Sequence, residues 1–364
     1  MELYESVPNF SEGRRADVID AITGAASAAH LLDWDADPDH NRVVVSIAGS
    51  RAKVVDGLLS AIARAVDRID VREHRGVHPR VGAADVVPII PLGATSLESC
   101  REIAHEVGEL AWERLRVPAY FYGHDEGRTL ADIRAGRASL SVGGPSLHPT
   151  AGAVCVGARR SLVAFNVILY DTDLVAARAV ARSIRETASG LRGVQALAFE
   201  LPGRRVQLSM NLFRIEETKP ADVIAELARR GVSMGAEQVV GLCPAVAASP
   251  AADTRILEGR MAAAGAIAGA VAAAARGDEE HAALAVRLRR EAQDLAALTA
   301  DQDAILAGAE RAAALGPVLR AAGVVDPEVE GLLVVAARGL RDAVLPATRG
   351  IYRARAEALD ARLA

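Results

Sequence analysis

Two rhythms of apolar residues alternate from the start of the chain to Pro244. Runs with every second position apolar, or solidly β-branched, predict strands; longer runs with apolar residues three and four apart predict helices. On this basis LYESVPNF is a strand and Arg14–Ala29 a helix with Ser11 as its N-cap. HLLDWDA and RVVVSIAG follow as extended runs on either side of the turn-rich DPDHN. A helix at Ala52–Ile69, the strand DVVPIIPL, a helix at Leu97–Arg116, the strand PAYFYG and a short helix at Leu130–Ala135 come next.

The order β-α-β-β-α-β is the split βαβ, or ferredoxin-like, motif. It then returns. LVAFNVILY is a strand, Leu174–Ala188 a helix, GVQALAFEL and RVQLSMNLF two strands across Pro202 and Gly203, Asp222–Arg230 a helix and EQVVGLCP a strand. Beyond Pro250 strand signals fade, and alanine, arginine and leucine recur at helical spacing. Pro317, Pro327 and Pro346 are expected to divide this tail into several helices. The expected fold class is α/β, of the α+β kind: two ferredoxin-like βαββαβ sandwich subdomains and an all-helical C-terminal segment. The boundaries fall at residues 1–157, 158–249 and 250–364.

Composition narrows the function. Of 364 residues, 51% are hydrophobic, 24% charged and only 3% aromatic, so the cores are expected to be closely packed ones of small residues. A net charge of −5 argues against a nucleic-acid footprint and leaves anionic ligands to a few local arginines. Cys100, Cys155 and Cys243 form no C-x-x-C pair, which suggests neither a zinc site nor a disulfide framework. MELYESVPNF lacks the order of a secretory signal. MAAAGAIAGAVAAAA, Met261–Ala275, is too short to span a bilayer comfortably and reads as a buried helix. A cytoplasmic protein without a membrane or nucleic-acid partner is expected.

One corner occurs twice. GVHPRVGAADVV, Gly76–Val87, is echoed by SLHPTAGAVCVG, Ser146–Gly157: His-Pro, two residues, Gly-Ala, then an apolar run. His74 and His78 are four apart, as metal ligands on one helix face would be, but Gly76 and Pro79 argue against a helix there. DWDADPDHN resembles a calcium loop only superficially, because Pro38 and Val44 stand where glycine and glutamate are required. His78 opens a turn before a strongly apolar strand, and an imidazole, with its unperturbed pKa of roughly 6.5, trades a proton near neutrality. Packing at a strand mouth accounts for it equally well. GGPSLHPTAGA, Gly143–Ala153, is either a tight turn or a loop of small residues that a planar ligand can approach closely.

VPNFSEGR (Val7–Arg14), LLDWD (Leu31–Asp35), HPRVGAADVVPIIPL (His78–Leu92), LADIRAG (Leu130–Gly136), HPTAGAVCVGARRSLVAFNVIL (His148–Leu169) and VQLSMNL (Val206–Leu212) occur in this order. Together they closely resemble the formiminotransferase domain of glutamate formimidoyltransferases, from Met1 to about Pro244. The resemblance implies two α/β subdomains around a cleft, usually in a homodimer. It implies transfer of a formimidoyl group from N-formimidoyl-L-glutamate to tetrahydrofolate, the co-substrate, in histidine breakdown and one-carbon metabolism. By the same resemblance His78 falls on the catalytic histidine. Gly144, Pro145, Ser146, Leu147, His148, Pro149, Thr150, Ala151 and Gly152 fall on the folate-binding segment.

One imidazole within reach of both nitrogens serves both proton steps of such a transfer, without a metal. Asp35 is expected to hold the amidinium donor and orient His78. The donor's carboxylates suit arginine: Arg80, Arg42 and Arg159 are candidates in that order, and Asn9 and Asn211 are candidate cleft residues, each equally readable as an ordinary strand-end polar residue. The chain departs from the family in reading SVGGP where many members have a PDFGP-like string, in AEQVVGLCP for a GSELVGLVP-like strand, and in a helical tail without a Pro-Gly-Gly-Gly loop. That tail reads as a reduced cyclodeaminase-like segment for packing or oligomerisation, without deaminase activity. Two further readings stay open: transfer to or from a different amino compound, and a folate-binding regulatory homologue without turnover.

Overall fold

The structure, a computed structural model, describes residues 1–248, 255–344 and 346–363. The chain divides into two compact units, Met1–Ser161 with Leu201–Gly203, and Leu162–Glu200 with Arg204–Ala364. The expected boundary at residues 249 and 250 lies outside the described residues.

In the first unit the chain runs β1 (Leu3–Ser6), β2 (Asn9–Phe10), α1 (Ala16–Ala26), β3 (His30–Asp37), β4 (Arg42–Gly49), α2 (Arg51–Arg68), β5 (Ala84–Leu92), α3 (Leu97–Leu115), β6 (Ala119–Gly123), α4 (Leu130–Arg134) and β7 (Val154–Ala158). β1 and β2 are one strand interrupted at Val7-Pro8, and both halves pair antiparallel with β4 on one side and β5 on the other. With β3 outside β4, this is the ferredoxin-like order; β7 and then β6 extend it in parallel beyond β5. Strand alternation sends Val43, Val45, Ile47, Val87 and Ile89 into a core shared with α1, α2 and α3. Arg42, Val44 and Ser46 take the opposite face.

The second unit repeats the plan with β8 (Val163–Leu169), α5 (Leu174–Ile184), β9 (Val194–Leu201), β10 (Arg205–Leu212), α6 (Pro220–Arg229) and β11 (Met234–Val240). Its sheet order is β11-β8-β10-β9, again ferredoxin-like. Two short strands, β12 (Leu242–Cys243) and β13 (Arg255–Ile256), pair in parallel and lead into α7 (Leu257–Ala274), α8 (Glu279–Ala296), α9 (Gln302–Ala321), α10 (Pro327–Ala343) and α11 (Pro346–Leu363). α7 is largely buried and closely packed: a Cβ on Gly265 would stand 2.9 Å from Leu333 Cδ2, and one on Gly269 2.4 Å from Leu319 Cδ2. Among the described residues no helix is long and apolar enough to cross a membrane. The three cysteines are buried, free thiols.

Two local expectations are corrected. Ser11 does not cap α1: the helix starts at Ala16, and Glu12 Oε1 accepts the Arg14 and Arg15 amide hydrogens at 2.8 and 3.0 Å. Ser11 instead donates its hydroxyl to Gly82 O at 2.8 Å, tying the first strand to the His-Pro corner. Pro317 does not divide the tail: it sits inside α9, where burial of Leu315 and Leu319 carries the helix past one lost backbone hydrogen bond. Pro327 and Pro346 do open helices.

Candidate active site

The two His-Pro corners pair with each other. Gly82 and Gly152 form an antiparallel bridge, Ala83 N donates to Ala151 O at 2.8 Å and Ala153 N to Val81 O at 3.2 Å. A Cβ on Gly82 would lie 2.0 Å from Ala153 O, and one on Gly152, at φ +71°, 2.3 Å from Val81 O. Each corner therefore needs its Gly because the other corner's backbone occupies the space.

β4 and β5 bring the polar groups together beside the first corner. Asn9 pairs with Val86 and Phe10 with Ala84, which leaves Asp85 as the extra residue of a β-bulge. The bulge turns a carboxylate with 1% side-chain exposure toward Arg42 Nη1 (3.0 Å) and Arg134 Nη2 (3.2 Å), both at Oδ2. Its Oδ1 accepts the Val81 amide hydrogen at 2.6 Å. Arg42 also donates from Nε to Asn9 Oδ1 at 2.7 Å, and its Nη1 lies 2.7 Å from His78 Nδ1. His78, Arg42 and Asn9 are thus brought together. Asp85 and Arg134, which hold them, lie within the strings HPRVGAADVVPIIPL and LADIRAG, but the sequence gives neither a role. The available signal was a lone acid at the mouth of the apolar strand ADVVPIIPL.

His78 is half-buried. Its Nδ1 is also 2.7 Å from Pro79 O, so the ring has a donor facing Nδ1 when that nitrogen is bare and an acceptor when it is protonated. Both tautomers are accommodated at Nδ1. Burial, then the nearby Arg42 and Arg134 cations, push the imidazole pKa down to about 2; His40, with its ring centroid 6.0 Å away, acts in the same direction. In this state the ring is neutral.

The other sequence-predicted residues take different places. Arg80 hydrogen-bonds His74 Nδ1 through Nη1, and Gly76 O and His78 O through Nη2 at 2.9 and 2.8 Å, so it braces the loop that carries His78. Gly76 is required there because a Cβ would stand 2.3 Å from His40 O. Asp35 pairs with Val44 on β4, on the same sheet face as Arg42. Arg159 follows β7 at the far end, its amide on Ile89 O at 3.1 Å, and Asn211 lies exposed on β10 of the second unit.

The second corner carries Pro145, Ser146 and Leu147 exposed, with Gly144 beside the Trp112 indole: a Cβ there would be 3.7 Å from Cη2. His148 Nδ1 accepts the amide hydrogens of Ala151 at 3.0 Å and Thr150 at 3.3 Å, and Thr150 O accepts from Val71 N at 2.8 Å. Ala151 and Gly152 are buried in the bridge to the first corner. Val142 bridges to Ala119 and packs on the core.

A family model described as the formiminotransferase domain, N-terminal subdomain, matches residues 3–159. The glutamate formimidoyltransferase of Thermoplasma acidophilum is 36% identical over 269 residues, covering 67% of this chain and 89% of that protein. The enzyme of the same name from Streptococcus pyogenes is 33% identical over 270 residues, 68% of this chain and 90% of its own length. The formimidoyltransferase-cyclodeaminase of Rattus norvegicus is 38% identical over 273 residues, which are 67% of this chain and 50% of that longer protein.

Proposed function

The chain belongs to the formiminotransferase family, and from that premise we propose that it transfers the formimidoyl group of N-formimidoyl-L-glutamate to tetrahydrofolate and releases glutamate. The observation that carries this reading is His78 Nδ1 set between a guanidinium and a carbonyl, each at 2.7 Å. Such a ring passes a proton through Nε2 and keeps a partner at Nδ1 in either state.

In this mechanism a ring nitrogen of the folate attacks the amidine carbon, forming the new C–N bond and acquiring positive charge. His78 takes the proton from that nitrogen and delivers it to the glutamate nitrogen, whose bond to the same carbon breaks. No electrons are exchanged with a third party, and the proton count balances. Arg42, held by Asn9 and Asp85, faces the donor's carboxylates; Asp35, on the same sheet face, holds the amidinium. Arg80 acts through the loop it braces. The segment Gly144–Gly152 receives the pterin, with the small residues and the Trp112 indole giving it a flat, accessible floor. The reading includes a homodimer at work in the cytoplasm and a helical tail without deaminase activity.

A spectrophotometric assay with N-formimidoyl-glutamate and tetrahydrofolate tests it. The parent protein turns over, and His78→Ala loses about 10²- to 10⁴-fold in kcat, the usual weight of a general acid-base group. No turnover by the parent would leave the second reading, a folate-binding homologue without catalysis, which Val142 in place of an acid favours.

A further inference from the structure

We infer that Arg42 and Arg134, splinted by Asp85, form a carboxylate subsite that takes the α-carboxylate of an amino-acid donor and sets it against His78. The identity of the donor rests on the transfer reaction proposed above; the anion subsite itself does not.

The charges are out of balance. Arg42 on β4, Arg80 in the loop and Arg134 at the end of α4 surround one carboxylate, Asp85. That carboxylate is engaged at both oxygens: Oδ2 serves two guanidiniums and Oδ1 a backbone amide. Two arginines sharing one oxygen keep donors to spare. Arg134 Nε is buried with no hydrogen-bond partner among the described residues. A buried donor left unsatisfied costs stability unless a ligand completes it. Arg80 is not the completing group's partner, since its terminal nitrogens are committed to the loop. An anion of planar, two-oxygen geometry is what paired guanidiniums recognise.

Geometry selects which carboxylate. Arg42 Nη1 touches His78 Nδ1 at 2.7 Å, so an anion on this pair is a neighbour of the ring. In an α-amino acid the amine nitrogen is two bonds from the carboxylate carbon, whereas a side-chain carboxylate lies further along a flexible stem. Only the α-carboxylate, held here, brings the nitrogen that must receive a proton up to His78. Its arrival also neutralises the two cations that, after burial, lower the proton affinity of the imidazole. The groups acting on that ring include Arg42 from β4, Arg134 from α4, the Pro79 carbonyl, and His40 from the turn between β3 and β4, with Asp85 from β5 behind the two arginines. Donor binding therefore raises the proton affinity of the ring that carries the proton.

The test is binding of L-glutamate, L-glutamine and isoglutamine, which carries an α-carboxamide, to the full-length protein. The readout is an NMR pH titration of labelled histidines, with His78→Gln used for assignment. Glutamate and glutamine are expected to bind alike within about tenfold, and isoglutamine at least about tenfold more weakly, the weight of a charge-assisted hydrogen-bond pair. Saturation with glutamate raises the His78 pKa. Arg134→Gln weakens glutamate binding about 10- to 100-fold, and its His78 titrates at higher pH in the ligand-free protein. Circular dichroism establishes that the variant is folded; if it is not, Arg134→Lys, which keeps the charge on Asp85, must still show weakened glutamate binding. Isoglutamine binding as well as glutamine, or a folded Arg134 variant with parental affinity, overturns the subsite. Glutamate binding as expected without any transfer overturns the reaction and leaves the subsite standing.

Discussion

The two His-Pro corners share a sequence pattern, a turn and a Gly-Gly bridge, yet their histidines use Nδ1 differently. In the second corner His148 spends it on its own turn, accepting the amide hydrogens of Thr150 and Ala151. In the first corner His78 Nδ1 meets the Pro79 carbonyl of its own turn and also reaches outward to Arg42 on β4. The same contrast holds seven residues along. Asp85 and Cys155 occupy equivalent places in the two strings, and both are buried, but one gathers two arginines and the other is packed among Val86, Tyr122 and Ile133. A repeated local pattern thus dictates a repeated local shape, and the neighbours from elsewhere in the chain assign the chemistry.

The largest expected difference between the corners is catalytic. Substitution of His78 by Ala lowers the turnover of formimidoyl transfer by about three orders of magnitude, the middle of the general acid-base range. His148→Ala changes it by less than about tenfold, because a loop is loosened and no proton path is lost. Equal losses at both positions would erase the distinction.

Stability separates the corners next. Asp85→Ala leaves Arg42 and Arg134 without their shared carboxylate and is expected to cost about 3–5 kcal/mol in urea unfolding. Cys155→Ala removes one buried sulfur and costs about 1–2 kcal/mol. Where the corners are alike, they should respond alike: Gly82→Ala and Gly152→Ala each push a Cβ into the partner's backbone and cost about 2–4 kcal/mol.

A smaller effect sharpens the account of each ring. The folded state holds His78 down to about 2, whereas an unfolded histidine titrates near roughly 6.5. Between those values the unfolded chain binds the extra proton, so stability is fully present above the unfolded pKa and is lost progressively as pH falls below it. The urea midpoint of the parent should decline between about pH 7 and pH 5 more steeply than that of His78→Gln, since roughly one proton fewer is then taken up on unfolding. For His148 the matched test is His148→Asn, whose side-chain oxygen accepts the same amide hydrogens. It should recover most of the ~1 kcal/mol that His148→Ala loses.

Most of the elements could be read from periodicity, since burial on one face imposes it directly on the residues of a strand or helix. Both ferredoxin-like orders and the helical tail follow from that reading and from the quoted strings. The gaps have identifiable causes. Ser11 has the right residue type for a helix cap, but Gly82, far along the chain, competes for its hydroxyl. Pro317 has the right type to end a helix, but the buried leucines around it outweigh the loss. Arg80 stands nearest to His78 in the chain and is the first candidate by position; its guanidinium folds back on His74 and the loop carbonyls instead. Arg134 lies far from His78 in the chain, within the string LADIRAG, and nothing in that string says which carboxylate it meets.

Residue order alone therefore accounts for the secondary structure, the duplicated plan and the pair of turns, because those depend on near neighbours and on which face is apolar. Which polar groups converge was settled by strand register. One extra residue between Ala84 and Val86 swings Asp85 toward Arg42 and Arg134, and a slip of one position would have sent every side chain of that strand to the other face. Charge and proton affinity depend on such distances of a few ångströms, and it is the packing of remote segments against one another that sets them.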